Sequence, residues 1–407
     1  MKAFNVPIIY RSPLITAIKN KRKQDDRMKK DFSPTLLDYG ELRILLSRHF
    51  GFCFGVENAI EIAFRTIEDN PGRRIFLLSE MIHNPQVNAD LESRGVSFIQ
   101  DTYGKQLIPF SELHANDIVI IPAFGTTLEI EKKLLAIGVQ TERYNTTCPF
   151  VEKVWNRSEQ IASKSYSVII HGKPGHEETR ATFSHAANHA PAVVVKDIHE
   201  AKALAKYIGN PSEDFYKEFL GRYSDEFNIY RDLERIGVVN QTTMLASETQ
   251  AIADMLRQAI TDRYGTTKDN EDFHFADTRD TLCYATNDNQ SAVIEMLRET
   301  ADLALVVGGY NSSNTSHLVE LCEEKLPTFF ISSEEKILAS NKILHYNIHR
   351  KEEVFSMNYL PVRKPTTILL TSGASCPDAL VEGAIKKLAG YFDAGEPAIS
   401  CINRKAL

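Results

Sequence analysis

A short apolar run, a small polar turn and then a helical pattern recur along this chain, and that repeat restricts the fold more than any other feature. Leu42–Leu46 leads through Gly51-Phe-Cys-Phe-Gly55 into Val56–Ile67, Arg74–Leu78 through His83-Asn84-Pro85 into Gln86–Arg94, and Asp117–Ile121 through Phe124-Gly-Thr-Thr127 into Leu128–Ile137. Further on, Val168–Ile170 opens onto His171-Gly-Lys-Pro-Gly-His-Glu-Glu178 and Ile236–Val239 onto Asn240-Gln-Thr-Thr243. Leu303–Val307 opens onto Gly308–Asn314, and Thr367–Leu370 onto Thr371–Ser375. Repeats of this kind predict α/β layers with mainly parallel sheets. Such sheets bind ligands beyond the carboxyl ends of their strands, and nearly every unusual polar residue here falls in a turn at that position.

At 407 residues the chain exceeds one typical domain. A net charge of −7 gives no general reason to bind nucleic acid. No apolar run approaches the roughly 20 residues of a membrane helix. Residues 1–40 read as a flexible extension, strongly basic over Lys19–Lys30, where Asp25 and Asp26 are the only acids. A transit peptide is the alternative, which would place the protein in a plastid; otherwise a cytoplasmic location is expected. The expected organisation is three similar α/β lobes, 41–147, 148–282 and 283–391, with an insertion near 203–235 and a tail at 392–407.

The six cysteines lack close pairing, which argues against a disulfide scaffold or a Cys-x-x-Cys zinc site. Cys53, Cys148 and Cys283 fall one in each lobe, each just before a helical pattern. The positive end of a helix is expected to lower a thiol pKa and favour the thiolate that a metal requires. Three thiols from three lobes suit a cubane iron–sulfur cluster with one iron left without a protein ligand, or else three small core residues. Cys322 reads as core, Cys376 as packing beside a site-like turn, and Cys401 as part of the tail. Ser312, Ser313 and Asn314 stand between a strand and a helix, and the turn ending at Ser375 repeats the design. Both are helix caps or, with Gly308 and Gly309 permitting close backbone approach, an anion site. His83 and His176 are candidate donors to phosphate oxygens in the charged state. Glu178 is a candidate proton donor or an ordinary first-turn acid, and Thr242 orients a substrate hydroxyl or caps a helix.

Taken in order, Gly51–Val56, His83-Asn84, Thr147-Cys-Pro149, Gly175–Glu178, Gln241–Thr243, Cys283–Thr286, Asn311–Asn314 and Ser372–Ser375 resemble the 4-hydroxy-3-methylbut-2-enyl diphosphate reductases of the non-mevalonate isoprenoid pathway. The resemblance runs from about Glu41 to Tyr391. It implies a trefoil of three α/β domains around a [4Fe–4S] cluster held by Cys53, Cys148 and Cys283. It also implies that His83, His176, Ser312, Ser313, Asn314 and Ser375 hold the diphosphate, with Thr242 on the substrate hydroxyl. The substrate oxygen would bind the unique iron, Glu178 would supply the proton, and reduced ferredoxin or flavodoxin would supply electrons. The products would be isopentenyl and dimethylallyl diphosphate. Phe124 stands where many members carry a histidine, so one anion contact is lost or is replaced by Thr126 or Thr127. That feature, the extension and the 203–235 segment resemble the longer cyanobacterial and plastid branch. Two other classes remain open from the residues: a redox-neutral cluster dehydratase, which would need fewer anion donors, and a cluster-based sensor, which would need no Glu178.

Overall fold

The computed structural model describes residues 4–266, 271–276, 281–362 and 364–401, so the last residues of the expected tail, 402–407, lie outside it. Contacts divide the chain into two compact units: Met1–Glu57 with His83–Val87 and Tyr284–Leu407, and Asn58–Ile82 with Asn88–Cys283.

The first unit is built on a six-stranded sheet in the order Thr328–Ile331, Leu303–Val307, Thr366–Ser372, Leu42–Leu46, Thr35–Asp38, Ala398–Cys401. The first four strands are parallel and the last two antiparallel. Successive side chains point to opposite faces. Ile44, Leu46, Leu305, Val307, Ile368 and Leu370 meet Leu380, Val381, Ile385 and Leu388 of the helix Asp378–Gly390. Leu45, Ala304, Val306 and Leu369 meet Val293, Met296, Leu318 and Val319 on the other side. Both faces are covered, which is why these strands read as unbroken apolar runs.

Two expectations for the ends of the chain are corrected. Residues 13–25 form a helix that joins this core rather than a solvated extension. Ser12 caps it, its Oγ accepting the Ile15 N–H at 2.9 Å, and Pro13 occupies the first turn. Ile15 and Ile18, three apart and so on one face, are buried, and Arg22 turns inward to Asp31 at 3.1 Å. The dense charge of Lys19–Lys30 hides this apolar pair in the sequence. The expected tail contributes an edge strand, Ala398–Cys401, paired with Thr35–Asp38. A small antiparallel sheet, Ile337–Ala339, Lys342–Asn347 and Glu352–Met357, follows Thr328–Ile331. Its outer strand is largely exposed, so it lacks the apolar run that marks the other strands.

The second unit holds two three-stranded parallel sheets, Val96–Phe98, Ile75–Leu77, Ile118–Ile120 and Ala192–Val195, Ser167–His171, Ile236–Asn240. In each, the strand first in sequence lies at the centre. The 203–235 segment packs into the core: Phe215 and Phe219 are fully buried, stack at 5.0 Å and pack with Ile169, Val193 and Val238. No described helix is long and apolar enough to cross a membrane.

Candidate active site

In the second unit the turns after Ser167–His171 and Ile236–Asn240 lie side by side. His176 ends the first turn and caps the helix Glu177–Ala187, its Nδ1 accepting the Glu178 N–H at 3.2 Å. With Nδ1 turned to this backbone N–H, Nε2 is the ring nitrogen left to face a ligand. Glu178 follows and is 1% exposed. Its Oε1 accepts the Thr242 N–H at 2.5 Å and its Oε2 the Thr242 hydroxyl at 3.0 Å. A buried carboxyl group is tolerated because both oxygens find donors.

Two of the three cysteines belong to the same unit. Cys148 caps the helix Pro149–Ala162, with its N–H on Ala123 O at 2.9 Å. Cys283 donates its N–H to Thr242 O at 3.3 Å. Their sulfurs are near enough to interact electrostatically, and Glu178 is near Cys148 as well. Burial pushes the Cys148 thiol up to about 12, Cys283 and Glu178 add to the rise, and the N–H groups of Phe150 and Val151 oppose it. The expected lowering by the helix start is therefore outweighed by desolvation. A cation bound among these groups would reverse that balance and hold the thiolates. Among the described residues no group of three His, Cys, Asp or Glu side chains stands close enough together to hold a metal ion.

In the first unit the candidate anion residues interlock. Ser312 caps the helix Ser313–Glu323, its Oγ taking the Thr315 N–H at 3.3 Å and the Thr315 hydroxyl at 2.9 Å. Asn314 Oδ1 accepts the Ala374 N–H at 2.9 Å and Asn289 Nδ2 at 3.4 Å, joining this turn to the one ending at Ser375. Ser375 Oγ donates to His83 O at 3.2 Å, and Ala374 O accepts the Cys53 N–H at 3.1 Å. These contacts join Cys53, His83, Asn314 and Ser375, with Ser312 and Ser313 immediately before Asn314. A side chain at Gly309 would put Cβ 2.2 Å from His83 O, so the approach of these two loops requires glycine. Ser313 Oγ and Asn314 Nδ2 are buried with no hydrogen-bond partner among the described residues. Buried orphan donors at a helix start fit an anionic ligand.

Cys322 and Cys376 are fully buried in the two cores of this unit, and burial pushes each thiol up to about 12. Cys401 lies on the edge strand paired to Thr35.

One contributor, Gln241, escapes the sequence reading, and another, Phe124, has a packing role it did not give. Gln241 is fully buried; its Oε1 accepts the Lys173 N–H at 3.1 Å and the Thr179 hydroxyl at 3.0 Å, and its Nε2 donates to Thr243 Oγ1 at 2.7 Å. It ties the loop before Glu178 to the turn carrying Thr242. Its place between the strand and Thr242 was the available signal. Phe124 packs edge-on against His176 with ring centroids 5.6 Å apart, so it fixes the imidazole that a donor at this position would otherwise accompany. Thr127 is occupied as a helix cap.

The family model for LytB protein matches residues 44–389. A curated relative from a Cyanothece strain, a 4-hydroxy-3-methylbut-2-enyl diphosphate reductase, is 40% identical over 353 residues, covering 86% of this chain and 84% of its own. A reductase of the same name from a Synechococcus strain is 42% identical over 362 residues, covering 88% and 86%. Among solved structures, the reductase of Plasmodium falciparum aligns with a TM-score of 0.62 at 21% identity, over 85% of this chain and 87% of its own, which extends the likeness to the fold. With the α/β architecture and a family match spanning most of its length, the chain belongs to the LytB family of 4-hydroxy-3-methylbut-2-enyl diphosphate reductases.

Proposed function

We propose that the protein reductively dehydroxylates (E)-4-hydroxy-3-methylbut-2-enyl diphosphate to isopentenyl and dimethylallyl diphosphate. Cys53, Cys148 and Cys283 would hold a [4Fe–4S] cluster, and reduced ferredoxin or flavodoxin would deliver the electrons. The cluster, when bound, supplies the two electrons singly and Lewis acidity at its uncapped iron. The chain's own residues do the rest. His83, His176, Ser312, Ser313, Asn314 and Ser375 would hold the diphosphate, with the orphan donors of Ser313 and Asn314 placed for its oxygens. Thr242 would orient the substrate hydroxyl through Oγ1. Glu178 would hold the proton at Oε2 and pass it by way of the Thr242 hydroxyl, which can reverse from donor to acceptor. Overall, two electrons and two protons enter, the carbon–oxygen bond breaks, one carbon–hydrogen bond forms and water leaves.

The observation that carries this reading is the buried Glu178–Thr242 pair beside Cys148 and Cys283 in a reductase family. Glu178→Gln is expected to keep the cluster absorbance and lose turnover by at least a hundredfold, the order associated with a positioned acid. Full turnover in that variant would remove Glu178 from the proton path.

A further inference from the structure

We propose that residues 4–19 form a clasp that positions the Cys53 loop for cluster ligation, with Lys19 as its central positioning residue. This inference rests on Cys53 being a ligand, and all of its parts belong to the first unit. The loop Phe50–Phe54 is anchored from one side by the turn near Ser375, where Gly51 N–H donates to Ser372 Oγ at 3.2 Å and Cys53 N–H to Ala374 O at 3.1 Å. The N-terminal segment closes the other side. Phe4 meets Phe54 edge-on with centroids 4.9 Å apart, and Tyr10 meets Phe52 at 5.9 Å. Lys19 Nζ lies 4.6 Å above the Phe50 ring and 2.7 and 2.9 Å from the two carboxylate oxygens of Asp378. The ion pair is laid against Gly51, where a Cβ would stand 2.3 Å from Asp378 Oδ1 and 2.9 Å from Lys19 Nζ. The three aromatic residues bracketing Gly51 and Cys53 are therefore each gripped by a different residue of one segment. Phe4 and Tyr10 are buried in doing so. Phe4, Tyr10 and Lys19 precede the residues matched by the family model, which begin at 44. A thiolate on a loop fixed from both sides is preorganised for its metal, whereas a loop fixed from one side must be ordered on binding.

The test follows thiol reactivity in the full-length chain, stripped of iron and kept anaerobic. N-ethylmaleimide labelling of Cys53 and Cys376 is resolved by peptide mass spectrometry, Cys376 reporting any general opening of the same unit. In Lys19→Met, Cys53 is expected to react several-fold faster with Cys376 unchanged, and Lys19→Arg is expected to restore the slow rate. After reconstitution, Lys19→Met should also lose iron to a chelator several-fold faster than the parent. An unchanged Cys53 rate, or equal acceleration of Cys53 and Cys376, would overturn the clasp. Failure of the parent protein to bind a cluster would instead overturn the ligand assignment, and the labelling would still decide whether the clasp exists.

Discussion

Glu178 and Thr242 lie in separate turns, yet both oxygens of one are engaged by the other. Neither residue is unusual in sequence; each is a plausible first-turn acid or cap on its own, and only their meeting distinguishes them. The three cysteines stand out for a different reason, each preceding a helical pattern, and helices do begin at Phe54, Pro149 and Tyr284. Their protonation was not legible. Position at a helix start suggested a lowered thiol pKa, but the depth of burial that pushes Cys148 up to about 12 depends on how the chain packs. His49 shows the same dependence with consequences for stability. Burial, then the cations Arg48, Lys29 and Arg22, depress it from 6.5 to about 4, with Asp26 opposing. A histidine harder to protonate when folded leaves the unfolded chain binding more protons. Its contribution is unfavourable to folding in acid: stability is expected to fall as pH drops from about 6.5 towards about 4. Denaturant titrations across that window are expected to show a shallower decline for His49→Asn than for the parent, and identical slopes would contradict this role.

The strand–turn–helix repeat gave the parallel sheets and put the candidate site residues in the turns at their carboxyl ends, since short apolar runs and helix caps are local signals. Elements whose burial comes from partners distant in sequence were missed. The helix at 13–25 carries only two core residues on one face, and the edge strand Ala398–Cys401 is exposed on its own account. The 203–235 segment reads as an insertion because it is charged and aromatic and falls between the second and third cysteines. Phe215 nonetheless stacks on both Phe219 and Phe227 inside the core. Phe215→Ala is expected to cost about 3–5 kcal/mol, the range for large core truncations, seen as a lowered midpoint in thermal or urea unfolding. A change near zero would show that the segment is not part of the cooperative core.

For the molecule as a whole, family membership and the α/β architecture stand on the match from residue 44 to 389 and on the sheets themselves. The chemistry stands on one further claim, that Cys53, Cys148 and Cys283 bind a single cluster with an iron open to the substrate. Mössbauer spectroscopy of the full-length protein reconstituted anaerobically with iron-57 tests it most directly, recorded with and without the allylic diphosphate. The expected result is a four-iron cluster in which the signal of one iron alone shifts when the diphosphate is added. Mononuclear iron only, or a cluster whose irons are all indifferent to the diphosphate, would contradict it.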